Sequence, residues 1–200
     1  MKDESLRFGL NAFKVLGGSF AMARYIAGEL GRDVSELSFD YLTSEPFRQE
    51  FGQAVFFTAT DGNHGRGVAW AASKLGQRAV VHMPKGTRPS RFDNIAREGA
   101  QVTIEALNYD DCVRLAAAEA AETERGVVIQ DTAWPGYEEV PAWIMQGYGT
   151  MASEAAGQLG RRPTHIFLQA GVGSMAGAVA GYFANLYPDA PPKIVVVEAS

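Results

Sequence analysis

Cysteine is almost absent from this sequence. Cys112 is the only one among 200 residues, which excludes an intrachain disulfide bond and a metal site built from cysteines. We therefore predict no metal. Cys112 stands beside Val113 in a helical pattern, so we interpret it as a small residue in or near the core.

Long apolar runs and an excess of positive charge are absent as well. No apolar stretch approaches the ~20 residues of a membrane-spanning helix, and residues 1–5 lack the apolar core of a signal peptide. The formal net charge of −5 at pH 7 gives no general attraction to nucleic acid or to anionic membranes. We expect a cytoplasmic protein that binds neither.

The sequence does contain a regular alternation of short β-rich runs and helical patterns. Hydrophobic residues make up 46% and charged residues 20%, which is ordinary for a globular protein. Strands are predicted over residues 55–60, 79–83, 101–105, 126–130, 164–169 and 193–198, and helices over most segments between them, including 109–122, 139–159 and 174–186. Short apolar strands joined by helices predict an α/β fold of three layers, with helices on both faces of parallel sheets.

One lysine, Lys14, stands where the first helical pattern begins. Leu16, Phe20, Ala23 and Leu30 recur after it at helical spacing, which places Lys14 in or beside a first turn. The positive end of the helix dipole and the apolar neighbours both favour a neutral amine there. An accessible neutral amine can form a Schiff base. Most lysines are instead solvated surface groups, and this segment by itself leaves both interpretations open.

Three polar or glycine-rich segments follow predicted strands, at the sheet edge where open α/β sheets bind ligands. Residues 61–65 read Asp-Gly-Asn-His-Gly, Asp131 follows a later strand, and residues 171–177 read Gly-Val-Gly-Ser-Met-Ala-Gly at the start of a helix. Asp61 and Asp131 could be acid/base groups, or a helix cap and a turn residue. Asn63 can donate and accept hydrogen bonds.

The glycine segment 171–177 has two further interpretations besides a tight turn used for packing. Backbone N–H groups at a helix start can hold a phosphate. The spacing G-x-G-x-x-x-G differs from the dinucleotide fingerprint and comes late in the chain. Glu198 could still be the acidic partner of a nicotinamide nucleotide, so an oxidoreductase stays open as an alternative. His64 could be a catalytic base, but a histidine at a helix start is more often a capping or spacer residue. We interpret the charged residues of 85–98 as a solvated helix face.

Taken together, these segments resemble the fold-type II pyridoxal-phosphate enzymes: Lys14 within Asn-x-Phe-Lys, a Gly-Asn-His-Gly loop, and a glycine loop after a late strand. Longer strings are more specific. Residues 2–14, 60–70 (Thr-Asp-Gly-Asn-His-Gly-Arg-Gly-Val-Ala-Trp), 130–134 (Gln-Asp-Thr-Ala-Trp) and 143–148 are similar to the diaminopropionate ammonia-lyase family. The resemblance runs through all 200 residues.

The resemblance implies roles for the matching residues. Lys14 would hold pyridoxal 5'-phosphate covalently, with Phe13 beside it, and Asn63 would bond the ring hydroxyl. Asp61 and Asp131 would transfer protons. The phosphate would lie against a cradle formed by Gly171, Val172, Gly173, Ser174 and Met175. The implied reaction is an α,β-elimination that converts the amino-acid substrate 2,3-diaminopropionate to pyruvate and ammonia, in a homodimer.

The resemblance also implies a division into domains. Residues 1–52 and 152–200 would be parts of a large cofactor-binding domain, and residues 53–151 a small domain. Family chains are about twice this long, so we expect the fold to be incomplete and the isolated chain to be unstable without the remainder. A serine/threonine-type dehydratase is the nearest alternative activity, and a homologue that has lost catalysis is the other.

Overall fold

The computed structural model describes residues 1–198, and within them strands and helices alternate as predicted. The strands are β1 Val55–Ala59, β2 Arg78–Met83, β3 Gln101–Ile104, β4 Gly126–Val128, β5 His165–Gln169 and β6 Lys193–Val197. The helices are α1 Val15–Leu30, α2 Phe39–Leu42, α3 Glu45–Phe51, α4 Asn63–Lys74, α5 Pro89–Ala96, α6 Tyr109–Glu122, α7 Glu139–Leu159 and α8 Ser174–Leu186.

The strands form two parallel sheets. One has four strands in the order β3-β2-β1-β4, and β5 pairs with β6 in the other. Every pair is parallel, with Phe57 of β1 opposite both Val80 and Val128, and Phe167 of β5 opposite Val195. Parallel neighbours need long crossovers, which the helices supply. The predicted α/β class with helix-covered parallel sheets is confirmed.

The main core lies around α1. This helix packs against α4 on one side and α7 on the other, and α8 continues the layer beyond α7. Met22 and Ile26 of α1, Phe56 of β1 and Tyr148 of α7 are fully buried in it. Burying such side chains contributes about 1.5–3 kcal/mol each, so the start of α1 is held inside the most stable part of the molecule. Cys112 is fully buried, as predicted.

The first residues form a strap over α7 and lead into α1. Residues 7–9 make one turn of 3-10 helix. Lys2 and Arg7 both donate to the Glu154 carboxylate, and these hydrogen bonds lower the pKa of Glu154 to about 2. Phe8 stacks on Trp70 of α4 with ring centroids 5.1 Å apart. The strap thereby fixes the approach to Lys14 from both flanking helices.

Two surface properties complete the fold. Among residues 1–198, none of the helices combines the length and the apolar character needed to cross a membrane. The β5–β6 pair is more open than the four-stranded sheet, since Phe167 is 69% exposed and Val197 is 54% exposed, whereas every residue of β1 is buried.

Candidate active site

The carboxyl ends of β1 and β4, the start of α1 and the loop after β5 open onto one cavity of about 500 Å³. Its lining includes Lys14, Asp61, Asn63 and Asp131, which the sequence indicates as candidate site residues. Residues of the glycine loop, of the loop after β1, and Arg91 and Tyr109 complete it. The lining residues are Lys14, Thr60, Asp61, Gly62, Asn63, His64, Arg91, Tyr109, Asp131, Gly171 and Val172. Segments distant in the sequence therefore meet at one sheet edge, as the parallel topology requires.

Lys14 immediately precedes α1, as predicted, and it points toward a carboxylate. Its Nζ donates to Asp131 Oδ2 over 2.5 Å, and the Asp131 side chain is almost fully buried. Burial pushes the pKa of Asp131 upward, but the positive charge of Lys14 and its hydrogen bond outweigh it, so the pKa is lowered.

Two glycines allow the helices to approach the backbone at Lys14. A Cβ on Gly67 of α4 would lie 2.8 Å from the nitrogen and Cα of Val15. A Cβ on Gly147 of α7 would lie 2.3 Å from the carbonyl oxygen of Leu16. Both distances are below any real contact of a Cβ atom, so the first turn of α1 is clamped between two helices through glycine alone. The sequence analysis did not identify this clamp.

Two lining side chains were also missed. Arg91 Nη1 donates to the carbonyl oxygen of Asp61 over 2.9 Å, so this residue of 85–98 contacts the cavity and is more than part of a solvated face. The hydroxyl of Tyr109 accepts from Gln130 Nε2 over 2.8 Å. Burial, with a contribution from the Asp131 carboxylate, raises the pKa of Tyr109 to about 12. Tyr109 was visible in the sequence only as a helix start.

His64 is deeply buried beside this group. It is 3% exposed, and its Nε2 lies 2.7 Å from the carbonyl oxygen of Ile129. Burial lowers the pKa of His64 and outweighs the attraction of Asp131, so the imidazole is neutral at neutral pH. A spacer at a helix start would be exposed, so the burial of His64 indicates a more specific role than the sequence suggested.

The glycine loop forms the opposite side of the cavity. Gly173 is the N-cap of α8 with φ +91°, and the helix has no side-chain capping bond at its start. Its first N–H groups are therefore free to bind an anion. Two of the predicted cofactor residues have side chains that do not line the cavity. Met175 is 7% exposed in the core, and Phe13 packs edge-on against Tyr148 at 5.2 Å, away from the cavity lining.

These residues fit pyridoxal 5'-phosphate by the chemistry of their donors. Lys14 offers an amine that can bond covalently to an aldehyde, and an uncapped helix start with a glycine loop suits a phosphate. Asn63 supplies an amide that would bond a ring hydroxyl. Among residues 1–198, no three His, Cys, Asp or Glu side chains come together as possible metal ligands.

Comparison with known proteins agrees with this fit. Residues 1–200 match the family described as "Pyridoxal-phosphate dependent enzyme". A diaminopropionate ammonia-lyase of Salmonella typhimurium is 56% identical over 202 residues, which cover 99% of this chain and 50% of that protein. The crystal structure of the Escherichia coli diaminopropionate ammonia lyase in complex with D-serine superimposes with a TM-score of 0.90 at 49% identity, covering 98% and 50%.

Dehydratases are more distant. A biosynthetic L-threonine dehydratase of Salmonella typhimurium is 30% identical over 146 residues, covering 71% of this chain and 26% of that protein. The chain spans about half the length of the ammonia-lyases it matches. The family match decides against the dinucleotide-binding alternative and confirms the resemblance seen in the sequence motifs. The chain belongs to the family of pyridoxal-phosphate dependent enzymes.

Proposed function

We propose that this protein eliminates the β-amino group of 2,3-diaminopropionate and releases pyruvate and ammonia, with pyridoxal 5'-phosphate as its cofactor. The observation that carries the proposal is the bond from Lys14 Nζ to Asp131 Oδ2 inside a cavity that Asp61 also lines. A cavity with two carboxylates suits a substrate that has a second, positively charged amino group. The 56% identity to a named diaminopropionate ammonia-lyase supports the same substrate.

In this proposal, different residues of the site bind different parts of the cofactor. Lys14 holds it covalently, Asn63 hydrogen-bonds the ring hydroxyl, and the N–H groups of residues 171–175 hold the phosphate at the start of α8. When bound, the cofactor supplies an electron sink for the negative charge that develops at the substrate α-carbon. The half-buried Tyr109 and the buried Asp131 keep bulk water away from one side of the cavity.

The acid/base work falls to Lys14, Asp61 and Asp131. For an L-substrate, the neutral amine of Lys14 takes the α-proton. A D-substrate presents this proton to the opposite face, where Asp61 takes it. Asp131 binds the second amino group and helps to expel it. The D-serine complex of the Escherichia coli relative supports a site that admits D-amino acids.

The proposal extends to domains, assembly and location. Residues 1–52 and 152–200 belong to a large domain, and residues 53–151 form a small one. The protein acts in the cytoplasm as a homodimer. The separate β5–β6 sheet supports this division. Limited proteolysis with cleavage near the exposed Gly52, and a dimeric mass by light scattering, are the expected results.

Borohydride reduction of the purified protein with added pyridoxal phosphate, followed by peptide mapping, tests the cofactor site. We expect one phosphopyridoxyl label, on Lys14, and its loss in Lys14→Ala. The exposed Lys85 is the internal control. A label on Lys85 and other lysines, with none on Lys14, would contradict the assignment.

Turnover assays of D- and L-diaminopropionate test the acid/base roles. Asp61→Asn is expected to abolish turnover of the D-isomer and to retain part of the L-activity. Asp93→Asn, an exposed aspartate on α5 outside the cavity lining, is the matched control. Equal loss with both isomers would refute the division of roles. Faster turnover of serine or threonine would favour the dehydratase.

A further inference from the structure

The buried imidazole of His64 has one nitrogen that the proposed mechanism leaves unused. A carbonyl oxygen only accepts hydrogen bonds, so Nε2 must carry the proton that it donates to Ile129 over 2.7 Å. In the neutral ring Nδ1 then carries a lone pair and can only accept a hydrogen bond. Within the part of the chain that the structure describes, Nδ1 has no hydrogen-bond partner, although it is buried.

A charged group, Asp131, lies close to this nitrogen. Nδ1 lies 3.8 Å from Asp131 Oδ2, the same oxygen that accepts from Lys14 Nζ at 2.5 Å. Two acceptors therefore face each other in a buried place. The arrangement is tolerable while the Lys14 ammonium supplies the positive charge, because an uncompensated buried carboxylate costs several kcal/mol.

The remaining titratable groups around Asp131 cannot take over from Lys14. Tyr109 of α6, Tyr148 of α7 and Tyr137 after β4 all have a pKa raised by burial. They stay protonated, and they offer no exchangeable positive charge. Asp61 is exposed at the cavity and is itself an acid. Apart from Lys14 itself, His64 is thus the one base in contact range of Asp131 among residues 1–198.

We propose that His64 is a positioning residue that takes up a proton beside Asp131 whenever Lys14 does not offer its ammonium. An N–H bond of the Lys14 ammonium breaks, its electron pair stays on Nζ, and the proton forms an N–H bond at His64 Nδ1, so that the imidazolium becomes the positive partner of Asp131. The inference rests on the proposed function for the last step. When the C–N bond to the second amino group breaks, the departing nitrogen keeps the electron pair and leaves as ammonia, which takes the proton from His64 Nδ1 and becomes ammonium.

The proton uptake is testable without cofactor or substrate, by NMR titration of the histidine imidazoles. In Lys14→Met, His64 is expected to gain at least about tenfold in proton affinity, because it becomes the only positive partner of Asp131. The double variant Lys14→Met with Asp131→Asn is expected to lose this gain. His82, which pairs with Glu105 and Glu119, is the internal control. An unchanged His64 in Lys14→Met, or a gain that persists in the double variant, would overturn the inference.

A second measurement separates proton uptake from a merely structural role. The amide of Gln reaches the position of Nε2, so His64→Gln keeps the donor to Ile129 but has no group at Nδ1. We expect unchanged borohydride labelling of Lys14 and a kcat for diaminopropionate about 10²-fold lower, with an altered pH profile and little change in KM. Wild-type kcat in His64→Gln would refute the inference while leaving the proposed function intact. Absence of elimination by the wild type would refute the proposed function instead.

Discussion

The two sides of the cavity differ in how they are held. On the lysine side, Lys14 and the almost fully buried Asp131 are paired, and Gly67 and Gly147 clamp the backbone behind them. On the side of the glycine loop, Gly171 and Gly173 have nothing within 4 Å of an added Cβ, and Val172 is 45% exposed. The amine is therefore positioned by core packing, whereas the loop keeps open N–H groups. Changes on the lysine side should alter folding and chemistry together, and changes on the loop side should alter binding of an anion.

Gly67→Ala is the strongest way to break this difference. The new Cβ would lie 2.8 Å from backbone atoms of Val15, which cannot move aside as a flexible side chain can. We expect a loss of about 3 kcal/mol in the free energy of unfolding. Because the displaced atoms adjoin Lys14, turnover should fall about 10²-fold. Urea unfolding and diaminopropionate assays measure the two effects.

Gly28→Ala is the matched control for the clamp. Gly28 lies on the same helix as Val15, it is exposed, and an added Cβ meets nothing within 4 Å. Alanine has the higher helix propensity, so this variant should gain up to about 1 kcal/mol in the free energy of unfolding. If Gly67→Ala unfolded as Gly28→Ala does, the clamp would not position Lys14.

Asp131→Asn sharpens the contrast through pH. In the folded protein the pKa of Asp131 is lowered, so the carboxylate contributes stability above its unfolded pKa of about 3.9. This contribution is lost as the pH falls through the folded value. At pH 7 the free energy of unfolding of the variant should be about 1.5 kcal/mol lower than that of the wild type, because Lys14 loses a charged hydrogen bond. Urea unfolding at a series of pH values below about 4 should show this difference in the free energy of unfolding becoming smaller. A difference that is constant with pH would contradict the pairing.

Periodicity in the sequence was enough for the elements but not for their partners. The bounds of α6, α7 and α8 follow from helical spacing and caps, and each helix lies where the pattern predicts it. The pairing of Lys14 with Asp131 joins residues 117 positions apart, and no local pattern encodes such a contact. It was anticipated only in so far as parallel strands bring their carboxyl ends to one edge.

The missed residues have a common physical reason. Arg91 and Tyr109 belong to helices whose exposed positions look like any solvated face, and only the tertiary fold turns them toward the cavity. Gly67 belongs to the string Gly-Asn-His-Gly-Arg-Gly, but the string alone does not show what the last glycine packs against. Two glycines within a helix interior cost stability unless something packs against them, and that cost was the available signal for the clamp.

Gly173→Ala tests the open side and has the smallest expected effect. Gly173 has φ +91° at the N-cap of α8, where an L-residue with a Cβ is strained by about 1–2 kcal/mol. The added methyl group meets no neighbour within 4 Å, so the strain should distort the loop rather than the core. We expect about tenfold weaker binding of pyridoxal phosphate, by fluorescence titration, with little change in borohydride labelling of Lys14 at saturation.

Gly181→Ala on the same helix separates strain from the loss of a glycine as such. Gly181 lies in the interior of α8 with no neighbour within 4 Å of an added Cβ, and its substitution should leave cofactor affinity unchanged. Equal weakening in both variants would mean that α8 as a whole, and not the conformation at its N-cap, holds the phosphate. A loss of stability in Gly173→Ala as large as in Gly67→Ala would abolish the distinction between the two sides, because the loop would then have to be packed as tightly as the lysine clamp.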